Sequence, residues 1–372
     1  MRNEAEPDSG GEQEQILTPR TVSYLLEKRE IHQIGGAKEI KFTLKNGESV
    51  RRSTKPIGEG SDGEGSEQIG AEVKKIEIDH YNGSRPIDLG GIEGMAVREE
   101  PRDSQLSSVK WWRHNIEKDT WEPLDQADEL PGCQDPSYQG ELQSRKYISV
   151  VNTKEKDKDK EEFDYWSELY ELNSDFKGLK AVAKSPLLCK GLHLSENPDD
   201  GTIDGFIRRQ GEGFARGKVC YFNIKTVEEL QGVMDNLDTA AETIEMFAPE
   251  EWGGINDLHR LPGGRLGVVG HIARFRIDAD GKEVRDYYVT SAIFDPKTKQ
   301  MSELKIIMTM DDLKDEKGNP IKAQFEPKRA DLDNVLYPTN SVLEGDKLTI
   351  YVGAKDAKPF VFSVKNPWAS SS

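Results

Sequence analysis

The sequence predicts an all-β protein, and three observations indicate that class. Short runs rich in β-branched and aromatic residues recur from Val73 to the C-terminus, turn residues separate them, and one helical pattern interrupts them. Neighbouring runs are about 10–15 residues apart, which is typical of a β-sandwich, a barrel or a propeller. The sequence has no sharp repeat, so this spacing alone leaves the three architectures open.

The N-terminal part of the chain differs in composition from the rest. Residues 1–16 are acidic and almost free of apolar side chains, which predicts a disordered arm. Val22, Leu25 and Leu26 then follow at helical spacing and predict a short helix over residues 21–30.

Two further segments precede the main domain. Residues 38–44 alternate apolar and polar side chains, as a half-buried strand does. Residues 58–70 are mostly glycine, serine and acidic residues, which predicts a flexible insertion. We therefore expect three parts: the arm of residues 1–16, a region of helix, strand and insertion over residues 17–72, and the main domain of residues 73–372.

Within the main domain, the pattern of apolar residues predicts a series of strands. The clearest cover residues 73–78, 95–98, 109–112, 147–152, 166–172, 219–224, 266–275, 287–294, 305–310, 348–352 and 360–364. The helical pattern begins at Thr226 and Glu229, which have capping-box spacing, and continues through Leu237. The charge run of residues 154–162 predicts a solvated loop between two strands.

Composition restricts the classes of function. The 372 residues carry a formal net charge of −17, which predicts a soluble protein and disfavours nucleic acid and anionic membranes as partners. No apolar run approaches the roughly 20 residues of a membrane helix, and the N-terminus lacks the apolar core of a signal peptide. The three cysteines lack close metal-type spacing, which favours free thiols in a reducing compartment. We expect a cytoplasmic protein with no metal and no cofactor, whose oligomeric state the sequence leaves open.

Residues 252–275 contain the densest group of polar side chains that could form a site. The group consists of Trp252, Asn256, Asp257, His259 and His271. Gly253 and Gly254 predict that the first half of this stretch is an irregular loop, and a strand is predicted from Leu266. Functional side chains are often placed on loops held by rigid strands. The two histidines could equally be structural, because a histidine alone has no specific role.

Five segments, taken together, resemble a known family. They are residues 94–112, 133–136, 252–275, 287–296 and 330–357. The last is the most specific, because an Asp, an Asn-Val-Leu-Tyr-Pro run and a Tyr-x-Gly-Ala-x-Asp strand follow at the family's spacing. Over roughly residues 76–368 the chain resembles the β-mannoside phosphorylase family of glycoside hydrolases, and still more a mannosyltransferase/phosphorylase-like branch of that superfamily. The resemblance implies a five-bladed β-propeller with a central pocket, preceded by the short helix and the disordered arm.

The resemblance also implies roles for individual residues. Asp135 would be the catalytic acid, which protonates the leaving sugar while phosphate or water attacks the anomeric carbon from the other face. Lys190, Arg208 and His271 would bind phosphate, which needs several fixed donors. The remaining substrate-binding candidates, which come from different proposed blades, are Arg98, Trp252, Asn256, Asp257, Tyr287 and Asp331.

Two positions depart from the family. Its Asp-Pro motif is commonly followed by arginine, where this chain has Ser137. The relatives often have an acidic residue after the position of Lys190, where this chain has Gly191. Both departures weaken the expectation that inorganic phosphate is the acceptor, and they leave the sugar-binding expectation mostly intact.

Each candidate also has a simpler interpretation, so three hypotheses stay open. Asp135 before a proline is typical of a turn, Arg98 could pair with a neighbouring acidic residue on the surface, and Trp252 could be a packing aromatic. The first hypothesis is an inverting enzyme that acts on β-mannosides by phosphorolysis, hydrolysis or mannosyl transfer. The second is a non-catalytic carbohydrate-binding propeller, and the third is a protein-interaction propeller. The expected partners are an oligosaccharide or a sugar phosphate, with inorganic phosphate if the protein is a phosphorylase.

Overall fold

The computed structural model describes residues 19–43, 77–157, 162–211 and 213–369. Strands account for 56% of the residues and helices for 10%, which confirms the all-β class. The predicted arm of residues 1–16 and the predicted insertion of residues 58–70 lie outside the described residues.

One helix precedes the strands and packs onto the core. Helix α1 (Val22–Lys28) lies within the predicted range, and Thr21 caps its N-terminus by accepting a hydrogen bond from the Tyr24 amide at 3.3 Å. Val22 and Leu25 are buried in a hydrophobic cluster that joins the helix to later strands, so the helix is held by packing of its apolar face.

The first strand differs from the strand predicted at residues 38–44. Strand β1 (Gln33–Glu39) pairs antiparallel with the last strand of the chain, with a shift in register along its length. It contains two glycines, which obscure the alternation of apolar and polar residues. A Cβ at Gly36 would lie 2.1 Å from the backbone nitrogen of Glu316, so a close approach of two backbone segments explains that glycine.

Three antiparallel sheets follow in chain order. The first holds β2 (Ile78–Tyr81), β3 (Ile87–Leu89), β4 (Ile92–Pro101), β5 (Ser108–Asn115), β6 (Thr120–Pro123) and β7 (Leu130–Pro131). The second holds β8 (Cys133–Leu142), β9 (Arg145–Asp157), β10 (Glu162–Glu171) and β11 (Lys180–Lys184). The third holds β12 (Cys189–Glu196), β13 (Ile203–Gly211), β14 (Ala215–Ile224) and β15 (Glu242–Ile244).

A nine-stranded sheet contains β1 and the remaining strands. These are β16 (Trp252–Arg260), β17 (Leu266–Ile277), β18 (Glu283–Asp295), β19 (Gln300–Met301), β20 (Lys305–Met308), β21 (Asn334–Glu344), β22 (Lys347–Ala354) and β23 (Lys358–Lys365). Its pairings are antiparallel except for a short parallel contact of β18 with β21, at Asp286–Asn334 and Tyr287–Val335.

Two short helices lie between β14 and β15, where the sequence predicted a single helix. A 3₁₀ turn at Val227–Glu229 leads into α2 (Leu230–Asp235), and α3 (Leu237–Ala240) follows after a break. Glu229 accepts a hydrogen bond from the Lys225 amide at 2.9 Å, and in the described part of the chain Thr226 forms no side-chain cap. The helical region is therefore present, and its predicted capping box is wrong.

The predicted loop at Gly253 and Gly254 is a strand in the structure, and so are the described ends of the predicted loop at residues 154–162. Gly253 and Gly254 lie inside β16, which pairs with β17. A Cβ at Gly253 would lie 2.0 Å from the carbonyl oxygen of His271, so the glycine allows the two backbones to approach closely. In the charge run, β9 continues to Asp157 and β10 resumes at Glu162, while residues 158–161 lie outside the described chain. Because β-pairing to the neighbouring strand satisfies the backbone, these polar residues extend a hairpin.

The other predicted strands overlap strands of the structure, and one of them overlaps at a single residue. Of the strand predicted at residues 73–78, Ile78 begins β2, and residues 73–76 lie outside the described chain. At the centre of the molecule β8 contacts β4, β12, β16 and β21, and β12 also contacts β16. Buried apolar clusters pack between neighbouring sheets, so the central strands form a rigid frame for the side chains between them.

Two further findings concern the cysteines and the helices. Cys133, Cys189 and Cys220 are buried free thiols. Within the described residues, the helices are too short or too polar to cross a membrane.

Candidate functional site

A narrow cavity lies where the central strands meet. It contains about 490 Å³ of empty space, part of it open to solvent, between β8, β12, β13, β16, β17 and β21. The predicted site residues that line it are Asp135, Lys190, Arg208, Asn256 and His271. Each comes from a different strand, so the fold brings together groups that are far apart in the sequence.

Asp135 occupies an unusual backbone position in β8. Its φ angle is 47°, and the pairing of β8 with β9 is interrupted by a bulge between Gln134 and Ser137. Aspartate is among the few residues other than glycine that adopt this left-handed conformation at modest cost. Its Oδ1 accepts hydrogen bonds from Asn82 Nδ2 at 2.8 Å and from Arg98 Nη1 at 3.1 Å. Strained positions of this kind are concentrated at functional sites, and a bulge redirects the side chain.

Arg98 links Asp135 to a second, buried carboxylate. Its Nε donates to Glu100 Oε2 at 3.1 Å, and Glu100 also forms an ion pair with Lys328. The guanidinium lies 4.8 Å from the centroid of the Tyr81 ring, and 11% of the side chain is exposed. The pairing of Arg98 with an acidic neighbour is therefore present, but it lies in the interior and connects directly to Asp135.

Lys190 and Arg208 place two positive charges beside the cavity. They are directly opposite each other in the pairing of β12 with β13. Arg208 is buried and donates from Nη1 to the Gly253 carbonyl at 2.8 Å, and Lys190 Nζ lies 5.1 Å from the centroid of the Tyr165 ring. Among the described residues, neither forms an ion pair within 4 Å. Burial, with Arg208 adding to it, lowers the pKa of Lys190 to about 8. Two adjacent cations without paired carboxylates favour an anionic ligand.

His271 lies between these cations and an aromatic wall. Its Nδ1 is 2.7 Å from Asn256 Oδ1, its Nε2 is 3.5 Å from Arg208 Nη1, and the Tyr287 ring stacks on it at 5.6 Å. Burial, followed by the charges of Arg208 and Lys190, lowers the pKa of His271 well below its ordinary value. The ring is therefore neutral and is not one of the positive donors.

Trp252 and Asp257 are near the cavity but do not line it. Trp252 is 6% exposed, donates from Nε1 to the Tyr287 hydroxyl at 3.2 Å and packs on Phe275. It supports the ring that stacks on His271, as a packing aromatic does. Asp257 accepts a hydrogen bond from the Ser341 hydroxyl at 3.1 Å and thereby joins β16 to β21.

Asp331 is a predicted site carboxylate that forms ion pairs away from the cavity lining. Its carboxylate pairs with Arg329 Nε at 3.0 Å and Arg285 Nε at 3.2 Å, and it does not line the cavity. Asp356, in the turn between β22 and β23, lies close enough to Asp135 for their charges to interact. Burial, opposed by Arg98 and increased by Asp135, raises the pKa of Asp356.

Asp356 and three other residues near the cavity were missed by the sequence analysis. Asp356 ends the Tyr-x-Gly-Ala-x-Asp strand, so a signal for it was present in the resemblance. Tyr337 and His193 line the cavity, and the Arg285 charge acts on both Lys190 and Tyr287. Tyr337 belongs to the Asn-Val-Leu-Tyr-Pro run, whereas His193 and Arg285 have no local sequence signal.

The two departures from the family also lie at the cavity. Ser137 Oγ accepts a hydrogen bond from Asn340 Nδ2 at 3.1 Å and lies 3.4 Å from Nδ1 of His193, so a neutral network occupies this part of the lining. Burial lowers the pKa of His193 to about 4. Gly191 has a φ of 71°, and a Cβ there would first meet the Ile255 carbonyl at 3.7 Å. In the part of the chain that the structure covers, no group of three or more metal-ligating side chains occurs.

Solved structures of similar fold include sugar-active proteins. The mannose phosphorylase MPT-4 from Leishmania mexicana, solved with phosphate ion, is 19% identical, with a TM-score of 0.70 over 94% of this chain and 92% of that one. The GDP-Man-dependent mannosyltransferase MPT-1 from Leishmania mexicana is 21% identical, with a TM-score of 0.65 over 79% of this chain and 87% of that one. The β-1,2-mannobiose phosphorylase from Listeria innocua, solved with β-1,2-mannobiose, is 13% identical, with a TM-score of 0.53 over 84% and 92%. These similarities show a shared fold and confirm the resemblance predicted from the sequence.

Comparison at the level of sequence gives a family. No protein in the curated collections matches this chain. The model of the family described as "Protein of unknown function (DUF1861)" matches residues 71–370, which is most of the chain and includes every residue of the cavity. The chain therefore belongs to the DUF1861 family.

Proposed function

We propose that the sheets form a five-bladed β-propeller. The nine-stranded sheet divides naturally at the short parallel contact between β18 and β21, because antiparallel pairing is the rule on either side of it. This division gives five antiparallel sheets, and β8 contacts β4, β12, β16 and β21, one strand from each of the other four sheets. Of these five strands, β8, β12, β16 and β21 line the cavity. Radial repetition of this kind places groups from every blade around one central site.

We propose that the protein is an inverting enzyme that cleaves β-mannosides with inorganic phosphate as the acceptor. The observation that carries the proposal is that Asp135 lines the same cavity as Lys190 and Arg208. Among the described residues, these two cations form no ion pair within 4 Å. Arg208 is buried and Lys190 is partly buried, and holding two such cations without ion-pair partners is costly, a cost that an anionic substrate offsets. The phosphate and mannobiose bound to the two phosphorylases of similar fold agree with this substrate class.

In the proposed reaction, one phosphate oxygen forms a bond to the anomeric carbon as the bond to the leaving oxygen breaks. Asp135 gives its proton to that leaving oxygen, directly or through a sugar hydroxyl, and ends as a carboxylate. Attack from the face opposite the leaving group turns a β-mannoside into α-mannose 1-phosphate. Lys190 and Arg208 hold the phosphate, and Asp356 and Arg98 position the sugar and Asp135.

The ion pair between Asp135 and Arg98 bears on this role. Arg98 Nη1 donates to Asp135 Oδ1 at 3.1 Å and Asn82 Nδ2 donates to the same oxygen at 2.8 Å, so the two donors fix the orientation of the carboxyl that lines the cavity.

The neutral network at Ser137 favours the second candidate, a sugar-binding propeller without catalysis. In the resembled family an arginine commonly follows the Asp-Pro motif, so this chain has one positive donor fewer at that position. The enzyme is preferred because Lys190, Arg208 and Arg98 are all present around Asp135. For its location we propose the cytoplasm, whose reducing conditions suit the three buried free thiols.

The test is to incubate the protein with β-1,2-mannobiose and phosphate and to follow α-mannose 1-phosphate. Asp135→Asn keeps the shape and the tolerance for positive φ, so we expect sugar affinity and melting temperature to change little while turnover falls by a factor on the order of 10² or more. The exposed Asp199→Asn is the matched control and should keep full turnover. Binding of mannobiose without any product from the wild-type protein would select the sugar-binding candidate instead.

A further inference from the structure

Lys328 lies outside the cavity lining and begins a chain of buried charges that ends at Asp135. We propose that Lys328 is a positioning residue, which holds Glu100 so that Arg98 keeps one N–H group for Asp135. This inference rests on Asp135 as the acid of the proposed reaction. It goes beyond that reaction because it assigns a role to a side chain outside the cavity.

Glu100 divides its two carboxylate oxygens between two cations. Lys328 donates to Oε1, whereas Arg98 donates to Oε2 through Nε at 3.1 Å and Nη2 at 2.5 Å. The third nitrogen of the guanidinium, Nη1, donates to Asp135 Oδ1 at 3.1 Å. The guanidinium therefore spends two of its nitrogens on Glu100 and the third on Asp135.

This network is shielded from water. Only 3% of the Glu100 side chain and 5% of the Lys328 side chain are exposed. A carboxylate buried to this degree is stable only if hydrogen-bonded cations offset the loss of its hydration. The fully buried ring of Tyr81 packs against both cations, with its centroid 4.8 Å from the Arg98 guanidinium and 5.9 Å from Lys328 Nζ. The charged groups therefore have little freedom to rearrange.

Lys328 is itself held by two other segments of the chain. Its Nζ donates to the Ser104 carbonyl at 2.9 Å, in the loop between β4 and β5. Its backbone amide donates to the Lys355 carbonyl at 3.1 Å, in the turn between β22 and β23. The ammonium is thus fixed against Oε1 of Glu100, whereas a lysine on the surface would rotate freely.

The position of Lys328 determines how Arg98 binds Glu100. A guanidinium and a carboxylate prefer a bidentate pair, in which two N–H groups bind two oxygens. Because Lys328 occupies Oε1, Arg98 is restricted to Oε2. Without Lys328 both oxygens are open to Arg98, and rotation of the guanidinium into a bidentate pair takes Nη1 away from Asp135. Lys328 therefore acts on the acid through Glu100 and Arg98.

Steady-state kinetics of Lys328→Met with β-1,2-mannobiose and phosphate test this role. Methionine keeps the apolar stem and removes the ammonium. Because Asn82 still donates to Asp135 Oδ1 at 2.8 Å, we expect a partial loss, in which kcat falls by on the order of tenfold and KM for both substrates stays within about threefold. A merely structural role would lower kcat only in proportion to the folded fraction. An unchanged kcat in the folded variant would overturn the role of Lys328 and leave the proposed reaction standing.

Lys110→Met is the matched control. Lys110 pairs with Glu99 Oε2 at 2.8 Å, and Glu99 is the buried neighbour of Glu100 on β4. Successive side chains of a strand point to opposite faces, so this ion pair lies on the face of β4 turned away from Arg98. The control removes a lysine from a buried glutamate and should keep full kcat. An equal loss in both variants would overturn the specific role of Lys328.

A crystal structure of Lys328→Met gives a readout that needs no activity. We expect Arg98 Nη1 to lie more than about 3.5 Å from Asp135 Oδ1, beyond hydrogen-bond distance. Retention of the wild-type contact would overturn the positioning role. If the wild-type protein forms no α-mannose 1-phosphate, the proposed reaction fails, and this crystal structure still decides whether Lys328 orients Asp135.

Discussion

Replacing Lys190 with methionine should make the protein more stable and remove its affinity for phosphate. Burial and Arg208 lower the pKa of Lys190 from 10.5 to about 8. One pKa unit corresponds to about 1.4 kcal/mol, so keeping this charge in the cavity destabilises the folded state by on the order of 3 kcal/mol at neutral pH. Methionine keeps the length and the apolar stem of the side chain, so we expect a gain of about 1–3 kcal/mol in the free energy of unfolding.

The pH dependence of this gain in the free energy of unfolding distinguishes the effect of removing the charge from an effect on packing. The folded pKa lies below the unfolded one, so the unfolded chain holds the proton more tightly between pH 8 and 10.5. The penalty is complete below about pH 8 and disappears as the pH rises towards 10.5. The difference between wild type and Lys190→Met should therefore shrink over that interval in urea unfolding experiments.

The matched control is Lys184→Met. Lys184 is exposed and its Nζ lies 4.1 Å from the centroid of the Trp166 ring, so both variants remove a lysine that contacts an aromatic ring. We expect the control to change stability by less than about 0.5 kcal/mol and to keep phosphate binding. Phosphate should raise the melting temperature of the wild type and of the control, but not that of Lys190→Met. A loss of stability in Lys190→Met, or a gain that does not vary with pH, would refute the reasoning.

Two further predictions concern the carboxylates Asp356 and Asp331, and Gly254, which lines the cavity. Asp356→Asn should lower turnover by on the order of tenfold or more, because Asp356 interacts with Asp135 and Arg98. Asp331→Asn should change turnover by less than about threefold, since its ion pairs lie outside the cavity; the opposite order of effects in steady-state kinetics would restore Asp331 as the site carboxylate. Gly254→Ala should weaken phosphate binding by on the order of tenfold, because the new methyl group would lie 3.3 Å from His271 Cε1 and shift the ring. Unchanged calorimetric affinity in that variant would show that the anion lies elsewhere.

The strands were predictable where the apolar pattern is local, and the errors arose where a contact with another segment decides the structure. Residues 266–275 are rich in apolar residues, as a buried strand is, and they form β17, whose first eight residues are buried. The glycines at positions 253 and 254 look like a loop in the sequence, yet β17 approaches so closely that a side chain at Gly253 could not fit. Sequence position shows that a glycine is present, but only the neighbouring backbone shows whether it allows a turn or a close approach.

The candidate site was also predictable from the sequence only in part. Asp135, Lys190 and Arg208 were identified through their resemblance to a family and lie together in the structure. Spacing alone does not show how Asp331 and Asp356 lie relative to Asp135, because both are near the C-terminal strands. In the structure Asp356 is close enough to Asp135 for their charges to interact, and Asp331 pairs with Arg329 and Arg285. The charge state of His271 was also beyond the sequence, since the amide of Asn256 and the guanidinium of Arg208 determine it together.

The pairing of β1 with β23 has a consequence for how the protein is made. The strand at Gln33–Glu39 obtains its hydrogen bonds from Lys358–Lys365, so this sheet joins segments from near the two ends of the described chain. A ribosome releases the first segment long before the second, and the early strand has to wait without its partner. Contacts so distant in sequence also slow folding after release. Because β21 belongs to the same sheet and forms one wall of the cavity, we expect the nascent chain to acquire its binding site only after β23 has left the ribosome.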